Sequence, residues 1–225
     1  MPANYAHYRF GKLALPKLPA EARQCISRFR RLYDIGLHGP DIFFYYNPAI
    51  DTAVGQLGHS YHTHSGQLFF SEACKEADSE AAKAYLLGVL GHYCLDSACH
   101  PYVNQLVSIG EVRHIAIESQ LERRLLLLDG VKSPETFDMS KRFRLTRGEC
   151  MTVAEFYPPA TGANVSQSVK HLAWCTHFLA SPNRQWRWKL LHRIKPELCD
   201  IFIPAGDDED CVLYVDELVT LYNEA

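Results

Sequence analysis

Apolar residues recur along the chain at three- and four-residue spacing between short polar breaks, and strand-like alternation is almost absent. Residues 19–37 begin at a proline and set Ile26, Phe29, Leu32, Tyr33 and Ile35 near helical spacing, so one helix is predicted up to the break at "HGPD". Another is predicted over 64–77. A long helix starts at Asp78 or Ser79 as its cap and runs to Pro101, whose missing N–H predicts a stop. The next covers 111–129 and closes on Asp129-Gly130. Residues 131–163, with prolines at 134, 158 and 159, read as a mixed connector. Helices resume over 165–180, 184–195 and 212–224, and no repeat is present. The predicted fold class is all-α.

Composition narrows the picture without changing it. A chain of 225 residues is long enough for one domain with a buried core, and the expectation is a single domain over 1–225 with its motifs in 1–130 and additional helices in 131–225. A net charge of −3 gives no general attraction to nucleic acid or an anionic membrane, so such a partner must be recognised locally. No run approaches the roughly eighteen apolar residues of a spanning helix. The stretch "MPANYAHYRFGKL" shows no apolar leader core, so a cytoplasmic location is expected. The eight cysteines, at 25, 74, 94, 99, 150, 175, 199 and 211, form no CxxC pair, which favours free thiols over a disulfide framework or zinc-ligating sulfurs.

The chemistry is concentrated in "GHYCLDSACHPY" and, one helix later, "HIAIE". The first sets His92, Asp96 and His100 at i, i+4 and i+8, in a row on one helical face with about 6 Å of rise per step. The second repeats the i, i+4 pairing with His114 and Glu118. Imidazole nitrogen and carboxylate oxygen are the donors zinc takes when cysteine is not used. One such pair alone reads equally as a helix ion pair, but two on consecutive helices with a third imidazole in register favour a metal site. Further candidates lie upstream: His7 in "NYAHYRFG", Asp41 in "GPDIFFYY", and His59, His62 and His64 in "GHSYHTHSG", which also reads as a polar loop. The aromatic residues Phe43, Phe44, Tyr45 and Tyr46 read as core or as pocket lining.

The order His, Asp, His, HxxxD, His, HxxxE resembles the bacterial zinc-dependent phospholipase C family, most closely its compact cytoplasmic branch; the superfamily also includes single-strand nucleases. The resemblance covers about residues 1–130 and implies a multi-helix bundle with a metal cluster between helices. It implies one zinc on Asp41, His62, His92 and Asp96, with His59 or His64 as substitutes for His62. It implies a second on His100, His114 and Glu118, and a third ion on His7 with Asp96. The chain lacks the amino-terminal tryptophan that serves this third site in the secreted relatives. The implied reaction is hydrolysis of a phospholipid to diacylglycerol and a phosphorylated headgroup. Asp41 would be the catalytic carboxylate that orients or deprotonates water. The implied partners are a phospholipid or small phosphodiester and a transient membrane-surface contact.

Two other readings remain open. A nuclease needs stacking aromatics beside cations, for which "NRQWRWKLLHR" is the candidate, although an amphipathic helix that packs Trp186 and Trp188 inward reads more simply. Alternatively, the metals serve the fold in a non-catalytic module. The acidic run "GDDEDC" lacks calcium-loop spacing and reads as a solvated loop before the last helix.

Overall fold

The computed structural model describes residues 4–48, 50–63, 65–181 and 184–225; His64 lies outside them. They are all-α, with no strand among them. In chain order the helices are α1 (Asn4–Ala14), α2 (Ala20–Arg28), α3 (Arg30–Gly36), α4 (Gly55–Thr63), α5 (Gly66–Glu76), α6 (Glu80–Ser108), α7 (His114–Leu128), α8 (Arg147–Ala154), α9 (Gly162–Ala180), α10 (Arg184–Ile194) and α11 (Val212–Glu224). None of the described helices is long and apolar enough to cross a membrane.

The chain divides into two compact units. One comprises His7–Tyr93 and Ser140–Cys175. Its core holds Ile26, Tyr33 and Leu37, against which Leu15, Leu18 and Leu87 pack. Helices α3 and α6 meet there backbone to backbone. A Cβ on Gly36 would fall 2.3 Å from Tyr85 O, and one on Gly88 2.3 Å from Tyr33 O, so only glycine permits the approach. The buried hydroxyls of Tyr85 and Tyr157 satisfy each other at 2.9 Å.

The other unit comprises Met1–Ala6, Cys94–Met139 and Thr176–Ala225. Helix α7 is its axis, burying Ala116, Ile117, Leu121, Leu125 and Leu126. Against it lies α11, with Val215, Leu218 and Tyr222 buried and Arg124 paired to Asp216 at 2.9 Å. Arg113 grips Asp200 through two nitrogens, at 2.6 and 3.0 Å.

Four expectations are corrected. The helix predicted over 19–37 breaks at Phe29, whose φ of −120° and ψ of 42° leave the helical region. Beyond it Leu32, Tyr33, Ile35 and Gly36 are all buried, a wider arc than a single amphipathic stripe supplies. The long helix does not stop at Pro101 but runs to Ser108. Burial of Val103 and Leu106 offsets the lost bond, tertiary packing overriding the local penalty. The connector contains α8, and its capping box of Thr146 and Glu149 is visible in "TRGE". The acidic run is the largely exposed loop before α11 that the sequence predicts, and within it Asp207 accepts from Gln120 Nε2 at 2.9 Å and from Arg123.

The fourth concerns α10, where no residue is buried and Trp186 and Trp188 face solvent. Arginines anchor that helix instead. Arg187 donates to the carbonyl oxygens of Phe178 at 2.9 Å and Ser181 at 3.2 Å, and Arg184 to that of Glu135 at 2.7 Å. The carbonyls at the end of α9 need donors, and one guanidinium supplies two of them from a single side chain.

Candidate metal centres

In the first unit a 3-10 turn over Gly39–Tyr45 presents Asp41. Gly39 has φ +48°, and a Cβ there would lie 2.6 Å from the His92 ring, so glycine lets the turn close onto that imidazole. Asp41, His7 and His92 are all buried. One donor atom from each lies within 4.8 Å of the others. His62, on α4, donates through Nε2 to Asp41 Oδ1, and His92 Nε2 stands 4.0 Å from the same oxygen. The rings of His7 and His92 lie 4.5 Å apart at 30°. Burial pushes the Asp41 carboxyl upward, but the charge of His92 and the bond from His62 outweigh it and hold the group well below the usual carboxylate range. Asp41 is therefore an anion at neutral pH.

The segment "GHSYH" is helix rather than loop, and its two described imidazoles diverge. His62 reaches Asp41, whereas His59 packs edge-on against Phe44 at 4.7 Å. Phe44 also stacks on His62 at 5.7 Å and 8°, while Phe43 joins the core against Tyr157. The aromatic run thus supplies both core packing and a ring against His62.

In the second unit α7 opens with His114 and places Glu118 one turn on, facing His100 of α6. His114 Nε2 lies 3.0 Å and His100 Nε2 3.4 Å from Glu118 Oε1. Asp96 Oδ2 stands 3.7 Å from the other ring nitrogen of His100, the position of a carboxylate that orients a ligating imidazole. Burial raises Glu118, but its bonds to His100 and His114 lower it further, so it too is an anion.

The three residues His92, Asp96 and His100 do not converge on one point, since i to i+8 spans about 12 Å of helix axis. His92 joins His7 and Asp41; His100 joins His114 and Glu118. His7 is brought to Asp41 and His92.

Two buried groups escape the sequence reading. His38 precedes Gly39, and burial pushes its imidazole down to about 3, with His92 acting the same way and Asp41 opposing. It is neutral. Glu122, one turn beyond Glu118, accepts from Ala6 N at 2.6 Å. Burial pushes it up to about 8 against the bonds from Ala6 and Tyr5, with Glu118 adding to the rise. Its i+4 spacing from Glu118 is the one signal in the sequence that points to it.

The sequence model of the zinc-dependent phospholipase C family matches residues 6–155, two thirds of the chain and all eight candidate ligands. The chain belongs to this family. No curated protein and no solved structure matches it.

The donor set fits the metal that gives the family its name. Zinc bonds of about 2.0–2.2 Å in a tetrahedron place donor atoms roughly 3.4 Å apart, close to the separations around Glu118 Oε1. The second carboxylate oxygen, Glu118 Oε2, is buried and has no hydrogen-bond partner among the described residues. An orphaned anion oxygen beside two imidazole nitrogens is a cation-binding arrangement.

Proposed function

We propose that this protein is a zinc-dependent phosphodiester hydrolase that cleaves a phospholipid to diacylglycerol and a phosphorylated headgroup. The observation that carries the reading is the set of His and carboxylate groups within the family-matched residues, one of them with the orphaned Glu118 Oε2. His7, Asp41 and His92, with His62 beside them, would hold zinc in one unit; His100, His114 and Glu118 would hold it in the other, with Asp96 orienting His100. Bound zinc supplies a Lewis acid for the phosphoryl oxygen and lowers the pKa of the attacking water.

The protein's own residues do the rest. Asp41 is fixed through Oδ1 by His62, leaving Oδ2 to orient the water and take its proton. Gly39 keeps His92 in place, and His38, being neutral, adds no competing positive charge. In the same unit a cavity of about 740 Å³ is walled by Leu57, Tyr61, Leu68, Phe69 and Phe156 together with the charged Glu72, Lys75, Glu76 and Glu155.

Asp41→Asn tests the assignment. Size and one oxygen donor are kept, while the charge and the proton acceptor are lost. Zinc content should fall only modestly, and kcat on a chromogenic phosphodiester by about a hundredfold or more. Parallel loss of both would reduce Asp41 to a ligand.

A further inference from the structure

Helix α10 lies beyond the family-matched residues and has no part in the centres described above. Along one side Trp186, Leu190 and Ile194 follow each other at i, i+4 and i+8, and they are 54%, 48% and 69% exposed. Leu198, just beyond the helix end, is also exposed. Lys189 and Arg193, also four apart, flank the stripe on the solvent side. Residues 184–195 carry five cations and no carboxylate, in a chain whose net charge is −3. Single exposed apolar residues need no explanation, but a contiguous stripe edged by cations does.

We infer that α10 docks the protein on an anionic phospholipid surface. A helix lying in the interface buries an apolar stripe at the headgroup boundary and keeps its basic side chains among the phosphates. Trp186 has the amphipathic ring favoured at that depth, and the stems of Lys189 and Arg193 allow their charges to snorkel outward. Charge complementarity selects an anionic leaflet over a neutral one. Single-stranded nucleic acid is the weaker fit: the Trp188 ring is already stacked on His192 at 4.7 Å and 10°, and Leu190 and Ile194 offer bases no stacking face. The docking goes beyond the hydrolysis proposed above and stands without it.

The test is co-sedimentation of the zinc-loaded full chain, in brief incubations on ice, with vesicles of phosphatidylcholine alone or with about one fifth phosphatidylserine. Two double variants, Lys189→Glu with Arg193→Glu and Leu190→Gln with Ile194→Gln, change only exposed positions. The parent should partition onto the anionic vesicles and much less onto the neutral ones. Each basic residue at such a surface changes affinity roughly fivefold, so the charge variant should lose tenfold or more. The glutamine variant should also bind more weakly, and both should hydrolyse a soluble phosphodiester as the parent does. Failed docking with intact soluble turnover overturns this inference and leaves the hydrolase reading standing. Equal partition of parent and variants, or binding of oligothymidylate in place of vesicles, also overturns it.

Discussion

Replacing Glu118 with Gln perturbs the second centre with the least change of shape. The amide keeps the volume and one oxygen, but it removes the charge on which His114 Nε2 and His100 Nε2 converge at 3.0 and 3.4 Å. It also turns one side of the buried carboxylate, whose Oε2 has no hydrogen-bond partner among the described residues, into an NH₂ that repels a cation. A ligand that binds only the folded state stabilises it by about 2.7 kcal/mol at a free concentration of about 100 Kd. Loss of an orienting outer partner weakens metal binding about 10–100-fold, so loss of a charged ligand should cost at least about a hundredfold. At the same zinc concentration the increment then falls to about 0.4 kcal/mol. For a chain of this size about 1 kcal/mol corresponds to roughly 2–4 °C, so the rise in Tm on adding zinc should shrink by about 5–9 °C. Calorimetry with chelator and with zinc restored, alongside elemental analysis, measures both quantities. Glu122→Gln, one turn along α7, is the control that should keep its zinc. A Glu118→Gln protein with full zinc content and an unchanged zinc-dependent rise in Tm would refute the reasoning.

Gly39→Ala should destabilise the protein by roughly 1–2 kcal/mol for the positive φ and about 1–3 kcal/mol for the contact with His92, and should lower zinc content by displacing that ring; unchanged chemical denaturation and zinc content would contradict this. Glu122→Gln should alter the pH dependence of stability. The unfolded carboxyl releases its proton near 4.5 and the folded one near 8, so the parent loses stability as pH rises between those values, by several kcal/mol at most. The Gln variant carries no such titration, and its Tm relative to the parent should climb from pH 5 to 8 and then level off; a constant difference would remove Glu122 from the account.

The long helical motifs are the most legible part of this sequence. His92, Asp96, His100, His114 and Glu118 announce themselves because i, i+4 spacing fixes a shared face before any tertiary structure forms. Their division between two centres follows from helix rise alone, whereas the groups that join them do not. Asp41 and His7 come from elements that the sequence marks less plainly: a 3-10 turn entered through a positive-φ glycine, and a short amino-terminal helix that carries Gly11. Phe29 and Pro101 mislead in opposite directions, since each helix end is set by what the next turn buries rather than by local preference. The exposure of Trp186 and Trp188 was hidden for a similar reason. Hydrophobic spacing predicts a buried stripe, but it carries no record that arginine donors to the end of α9 would claim the inward face.

The central claim is zinc-dependent cleavage on the glycerol side of a phospholipid phosphodiester, and phosphorus NMR of mixed lipid vesicles tests it most directly. With the zinc-loaded protein a phosphomonoester headgroup signal should grow as the lipid phosphodiester signal declines. Chelation should stop it, added zinc should restore it, and Asp41→Asn should nearly abolish it. A protein with full zinc content that releases no phosphomonoester from lipid, and turns over no soluble phosphodiester, would contradict the account.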